Sequence, residues 1–261
     1  MQNLQQRSTH SLKQYKKLFL NAAERTAVGE ASPLYLASPG APQRIQALLP
    51  SAKIIIMLRN PVDRAYSHYV QNTRGGNHQL PSFPELLNAE NDVSQSLTAF
   101  AQQKRDFYVG LSQYADAIAA YQATFPSENI RIYLFEDFKQ NSEKIVKDIF
   151  QFLGVDENIN IDTQKRYNAS GTSKFQFIDT LLLSGNPLKT LLRSTLPPAL
   201  KNKLSAIQNS ARDLNSKPSP KLSTQTRQQL TDRYFQADIQ RLETLINRDL
   251  SCWLNTARVY T

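Results

Sequence analysis

The sequence predicts an α/β fold: a parallel sheet flanked by helices, followed by a helical C-terminal part. Three observations predict it. Two short apolar, β-branched runs, Lys53–Leu58 and Asn129–Phe135, read as strands. Helical patterns lie before, between and after them, and strands that alternate with helices join in parallel through right-handed crossovers. After Gly154 no strong strand pattern remains, only amphipathic helical ones.

Each element has a local reason. Ser11 to Ala23 reads as a helix with Ser11 as its N-cap, and Ala41 to Leu49 as a second helix stopped at Pro50. Ala27 to Leu36 is mixed, is broken by Pro33 and offers at most a third strand. Lys53-Ile-Ile-Ile-Met-Leu58 lacks alternation, the pattern of a strand buried on both faces. Asn60 then caps a helix with Pro61 at its first position and Asp63 at its positive end. That helix runs to about Thr73 and ends at Gly75-Gly76. Leu80 to Asp106 holds one or two short helices. Gly110 to Thr124 is helical, with Leu111, Tyr114, Ile118 and Tyr121 at 3- and 4-residue spacing. Ser142 to Leu153 is a helix closed by Gly154. Ser173 to Ser184, Pro198 to Leu214 and Ser223 to Ile246 read as helices, and Lys217-Pro218-Ser219-Pro220 as a hinge-like linker. Two firm strands are few for such a sheet, so either short segments hide strands or part of the sheet is missing.

Composition bounds the function. A 40% hydrophobic fraction in 261 residues fills a sizeable core, and 20% charge excludes a disordered chain. The single cysteine, Cys252, forms no intrachain disulfide, and His10, His68 and His78 do not cluster with it, so no zinc site of the usual type is expected. The longest apolar run, Ile54 to Leu58, is far short of a membrane span, and Met1 to Leu20 carries no signal-peptide pattern. These features point to a soluble, cytoplasmic protein. The net charge is +9, and Lys165 to Lys221 holds ten Lys/Arg against Asp179 and Asp213. Such a segment either attracts anions or is a solvated basic face. With eight glycines and no G-x-x-x-x-G-K-[ST], the chain has no phosphate loop of the usual kind.

The sharpest constellation is the strand–turn–helix at Arg59. Ser67 lies seven residues after the Asn60 cap, so it faces the same way, ~10 Å further along the helix axis. Arg59 ends the strand at the edge where open α/β sheets bind ligands. Its forked guanidinium and the Ser67 hydroxyl suit one phosphate gripped from two sides. On geometry alone, an Arg capping a carbonyl and a Ser exposed on a helix remain open.

Leu58-Arg-Asn-Pro-Val-Asp-Arg-Ala-Tyr-Ser-His-Tyr69 resembles the 3′-phosphate-binding motif of sulfotransferases that use 3′-phosphoadenosine 5′-phosphosulfate (PAPS). Gly29-Glu-Ala-Ser-Pro-Leu-Tyr-Leu36 is similar to a segment that precedes this motif in the family. Gly110-Leu-Ser-Gln-Tyr114, Phe125-Pro126, Ile132 to Asp137, Asn141, Phe152-Leu-Gly154, Asn168 and Asp249-Leu-Ser-Cys-Trp253 follow in the family's order. The resemblance covers roughly Ser11 to Leu254, and its nearest look is the bacterial branch related to heparan sulfate sulfotransferases.

The resemblance implies a three-layer, P-loop-NTPase-like fold over one domain, 1–261, with 155–221 as a basic, mostly helical nucleotide- or acceptor-side region. It implies that Arg59 and Ser67 bind the 3′-phosphate, with Lys165, Arg166 and Lys174 as further candidates for the 5′ side of the nucleotide or for the acceptor. Two parts of the family pattern have no counterpart here. One is the first strand with its P-K-x-G-T-T phosphosulfate loop, and Ser170-Gly-Thr-Ser-Lys174 does not replace it. The other is the glutamate base of a K-E-x-x-F-F segment. A late start of the sequence is the simplest account. The main catalytic residues are then expected upstream of Met1, and the chain as written is expected to be impaired. Glu30 is the remaining candidate base, although a hydrogen-bonded turn carboxylate is the favoured reading. Ala31 stands where glycosaminoglycan-type members carry a lysine, against a heparan-like acceptor. Tyr114 and Tyr121 read as core more than as acceptor-stacking, with Tyr114 kept as an acceptor-side candidate, and the histidines as bystanders.

The function expected is sulfuryl transfer from PAPS to a hydroxyl or amine of a carbohydrate-like or other small acceptor, with no metal, no nucleic-acid partner and no membrane segment. A kinase is disfavoured because no magnesium-binding acid follows a phosphate loop. The alternative from another class is a non-catalytic anion- or nucleic-acid-binding protein using Lys165 to Lys221.

Overall fold

The computed structural model describes residues 11–22, 24–74, 82–88, 103, 106–159, 161, 171–173, 216–218 and 220–255. Its centre is the parallel pair β1 (Ile54–Leu58) and β2 (Ile130–Leu134), in register from Ile54 opposite Ile130 to Leu58 opposite Leu134. The two strands hydrogen-bond directly, with no strand between them. Among the described residues this sheet has two strands, fewer than the family-type fold expects.

Before the sheet come α1 (Leu12–Lys17), a 3-10 turn at Leu20–Ala22 and α2 (Ala41–Leu48). Ser11 is extended like an N-cap, but its side chain caps nothing, and α1 buries no residue. Residues 27–36 form no strand. Pro33 removes a ladder donor there, and no alternation supplies an apolar face. After β1, Asn60 Oδ1 accepts from the Val62 and Asp63 amides at 3.0 and 3.2 Å and so starts α3 (Pro61–Arg74). Then follow α4 (Phe83–Asn88) and α5 (Ala115–Thr124). The α5 helix begins later than the apolar spacing from Gly110 suggests, because the Asp238 carboxylate accepts from the Tyr114 and Ala115 amides at 2.7 and 3.0 Å and fixes its first turn.

Beyond β2 the chain turns at once into α6 (Phe135–Gln140), so Phe135 opens a helix where the sequence pattern makes it the last strand residue. The next helix, α7 (Ser142–Leu153), matches its sequence pattern at both ends. Asn141 caps its start by accepting from the Lys144 amide, and Gly154, at φ +74°, supplies the left-handed residue that ends it. Two three-residue strands, β3 (Gly171–Ser173) and β4 (Ser216–Pro218), pair antiparallel, and β3 lies against α3. The sequence pattern offers neither strand. Gly-Thr-Ser and Ser-Lys-Pro carry no apolar alternation, and Pro218 reads as a linker rather than as the end of a ladder. The helix expected over 173–184 lies outside the described residues apart from Ser173, and the one over 198–214 lies wholly outside them.

The expected long C-terminal helix is interrupted. It consists of α8 (Thr224–Leu230), a π-helical turn at Thr231–Phe235 and α9 (Gln236–Ile246), followed by α10 (Ser251–Leu254). The cause lies in the spacing of buried residues. Leu230 and Phe235 are five apart, while Phe235, Ile239 and Leu242 follow at ordinary helical steps. One wide turn lets all four face the core.

The core lies between one face of the sheet and the helices, with Ile56, Leu58, Val62, Ala65, Ala115, Ile118, Leu242, Leu250 and Trp253 among its members. The prediction that β1 is buried on both faces does not hold. Ile56 and Leu58 are 6% and 0% exposed, but Ile55 and Met57 are 39% and 41% exposed. Only the β2 half of the second face is covered. There Tyr133 donates to Asp148 of α7, and the Arg131 guanidinium lies 4.6 Å from the Phe152 ring centroid.

Candidate functional site

Arg59 leaves the carboxyl end of β1 half-buried, with its guanidinium 5.2 Å from the centroid of Phe135, the residue that opens α6 at the end of β2. A cation over an aromatic face is held by the ring quadrupole. The peptide unit joining Arg59 to Asn60 is bonded at both of its polar ends. Its carbonyl accepts from the Tyr114 hydroxyl at 3.0 Å, and its N–H donates to Glu136 Oε1 at 3.2 Å. Asn60 is buried and spends its side chain on the α3 cap. Two turns along, Ser67 is half-buried on the same helix.

Tyr114 is 4% exposed, and its ring centroid lies 6.5 Å from that of Trp253. A ring so enclosed has no face to offer an acceptor, so the acceptor-side expectation for Tyr114 gives way to a place in the core beneath Arg59. Burial pushes its hydroxyl well above the ordinary tyrosine range, which keeps it a neutral donor to Arg59.

Glu30 is exposed and precedes the turn at residues 33–37. Its carboxylate accepts from Tyr35, whose hydroxyl is pushed up to about 12 chiefly by that hydrogen bond. Burial first, then the Glu30 charge beside it, pushes the Tyr15 hydroxyl up as well. Tyr35 thus holds Glu30 as a hydrogen-bonded carboxylate, the reading the sequence favours for it over a base. Met1 lies outside the described residues, as do Lys165, Arg166 and Lys174. The ends of the basic segment do reach the site helix, because β3 packs on α3 and Tyr66 of α3 donates to the Pro220 carbonyl at 2.6 Å.

His68 follows Ser67 but points into an aromatic pocket, with Phe107 and Tyr108 at 5.2 and 5.3 Å between ring centroids. Burial first, then the Arg64 charge, pushes its imidazole down to about 4. The unfolded chain binds this proton near pH ~6.5, whereas the folded chain binds it only near the lower value. Stability therefore falls as pH drops through that window. A proton NMR titration is expected to show the His68 ring unprotonated down to about pH 5.5, and His68→Phe to flatten the acid side of the stability profile. A midpoint near the free-histidine value is the outcome that contradicts this placement.

A cavity of about 340 Å³ lies against β2, with Arg131 and Arg248 in its lining, and neither Arg59 nor Ser67 lines it. Among the described residues no cluster of His, Cys, Asp and Glu suits a metal ion, and no helix is long and apolar enough to cross a membrane.

Sequence reasoning did not single out Phe135, Glu136 or Asp238 individually. The Phe-Glu-Asp run directly after the second strand is the available signal for the first two. Asp238 is separated from Tyr114 by 124 residues, and nothing local marks their contact.

Comparison with known proteins places this geometry. A model of the sulfotransferase domain matches residues 12–191. The chain is 34% identical over 133 residues to the bifunctional heparan sulfate N-deacetylase/N-sulfotransferase 1 of Mus musculus, a match over 50% of this chain and 14% of that protein. The Drosophila melanogaster bifunctional heparan sulfate N-deacetylase/N-sulfotransferase is 26% identical over 142 residues, or 53% of this chain and 13% of the protein. The matches thus span about one seventh of the length of these curated relatives. The crystal structure of a sulfotransferase from Alicyclobacillus acidocaldarius superposes with a TM-score of 0.60 at 29% identity, over 94% of this chain and 75% of that one. Sulfotransferases share the P-loop-like α/β architecture, and with the strand–turn–helix at Arg59 in place, the chain belongs to the sulfotransferase domain family.

Proposed function

We propose that the protein binds PAPS through its 3′-phosphate at Arg59 and Ser67, for sulfuryl transfer to a hydroxyl or amine of a carbohydrate-like or other small acceptor. One observation carries this reading. A guanidinium stands at the carboxyl end of a core strand, braced on Phe135, beside a capped helix that presents a serine two turns on. Arginine offers the planar fork that suits a phosphate, and the hydroxyl adds a further donor.

The reaction itself asks little covalent chemistry of the protein; positioning and charge stabilisation lower the barrier. The residues described here fit the holding of the nucleotide. Among the described residues none supplies a lysine-bearing loop for the group being transferred, and Tyr35 holds Glu30, so the expectation is nucleotide binding with impaired turnover.

Calorimetry tests the binding reading whether or not turnover occurs. Arg59→Ala is expected to weaken binding of adenosine 3′,5′-bisphosphate by roughly ten- to a hundredfold, the worth of a hydrogen bond to a charged group. Binding of adenosine 5′-phosphosulfate, which has no 3′-phosphate, should change little. Ser67→Ala should repeat the pattern at smaller size. Equal losses for the two nucleotides mean that Arg59 supports the fold and not the 3′-phosphate.

A further inference from the structure

We propose that Tyr114 and Glu136 are positioning residues for the nucleotide site, acting together to set the direction of Arg59; the inference rests on the nucleotide reading above. The Arg59 carbonyl and the Asn60 N–H belong to one peptide plane. Tyr114, at the start of α5, donates to its carbonyl at 3.0 Å, and Glu136, in the first turn of α6, accepts from its N–H at 3.2 Å. The two bonds attach to opposite edges of a rigid plane. Rotation of that plane changes ψ of Arg59 and φ of Asn60 together. With both edges tied, the Cα–Cβ bond of Arg59 leaves the backbone in one direction.

Neither clamp is itself loose. The Tyr114 and Ala115 amides are held by Asp238 at 2.7 and 3.0 Å, and the Tyr114 ring is enclosed in the core. Glu136 follows Phe135, the ring that braces the Arg59 guanidinium, so a single turn of α6 supports both the backbone and the side chain of Arg59. The second carboxylate oxygen of Glu136 is buried and has no hydrogen-bond partner among the described residues. Among the described residues the Asn60 amide is the hydrogen-bond donor that this carboxylate meets.

The arrangement also explains why a buried tyrosine hydroxyl, and not a phenylalanine, stands at this point of α5. A carbonyl at a strand end next to a helix cap has left the ladder, and inside the core it needs a donor. Tyr114 supplies one from the far side of the sheet end. A donor anchored on a separate helix keeps its place when the phosphate arrives, so Arg59 meets its ligand already oriented.

The test compares adenosine 3′,5′-bisphosphate with adenosine 5′-phosphosulfate by calorimetry on the full chain, with Arg59→Ala as reference. Tyr114→Phe keeps the ring and removes the hydroxyl; Glu136→Ala removes the acceptor; Glu136→Gln restores an oxygen acceptor without the charge. Tyr114→Phe and Glu136→Ala are expected to lose ~3- to 10-fold in affinity for the bisphosphate, the worth of one ordinary hydrogen bond, with the phosphosulfate unaffected. Glu136→Gln is expected to recover the loss. Should Glu136→Ala not fold, Tyr114→Phe decides alone. If Arg59→Ala itself shows no preference between the ligands, the nucleotide reading falls and takes this inference with it. If Arg59→Ala is selective but the two clamp variants bind the bisphosphate like the parent, or lose both nucleotides equally, the positioning role is overturned and the nucleotide reading stands.

Discussion

Asp63→Ala is expected to lower the unfolding free energy by about 3 to 5 kcal/mol, the cost of stripping a buried ion of its partner. Asp63 lies in the first turn of α3 and accepts from Arg227 of α8. The Arg227 side chain is 5% exposed and that of Asp63 21%. Loss of the carboxylate deprives a buried guanidinium of this counter-ion and removes a negative charge from the positive end of α3. Arg227→Met in the Asp63→Ala background should recover most of the stability, because an apolar side chain of similar length needs no partner there. Urea denaturation of the two single variants and the double variant checks this. A double variant no more stable than Asp63→Ala shows that packing, and not the buried charge, dominates. Because α3 also carries Ser67, bisphosphate affinity should follow the same order of variants.

Trp253→Ala is expected to cost about 3 to 5 kcal/mol, with a fall in melting temperature of roughly 10 °C for a chain of this size. Trp253 is 1% exposed and packs near Tyr114 at the base of the site. Its indole N–H is buried and has no partner among the described residues. Trp253→Phe should therefore cost much less, since it removes an unsatisfied donor along with part of the ring. A melting curve for Trp253→Phe as low as that for Trp253→Ala contradicts this account, because it assigns the indole N–H a bond that the structure does not show.

Much of the α/β centre is legible from short-range patterns. Ile54–Leu58 and Ile130–Leu134 are apolar and β-branched, Asn60-Pro61 announces a helix start, and Gly154 announces a helix end. The Arg59–Ser67 spacing is likewise readable, since a cap and a helical period fix it. What escapes the sequence is of two kinds. Some features have no periodic signal, such as the three-residue strands at Gly171 and Ser216, or the wide turn that carries the apolar face from Leu230 to Phe235. Others depend on residues far apart in the chain. The second face of β1 looks buried from its composition, yet Ile55 and Met57 are exposed, while on the same face Tyr133 of β2 is held by Asp148 of α7. Tyr114 reads as one member of an apolar stripe, and only the meeting of the β1 end, the α5 start and α6 shows what its hydroxyl does.

The way the last helices close the core bears on how the chain is made. Ile56, Leu58, Val62, Ala115 and Ile118 all pack in one cluster with Ile239, Leu242, Leu250 and Trp253. Synthesis proceeds from the N-terminus at ~5 to 20 residues per second. After the second strand is made, the ribosome adds ~120 further residues before Trp253 exists, a wait of roughly 6 to 24 seconds. Throughout that interval the nascent sheet has one apolar flank without its cover. It is in this interval, before the molecule ever meets a nucleotide, that it most needs a chaperone.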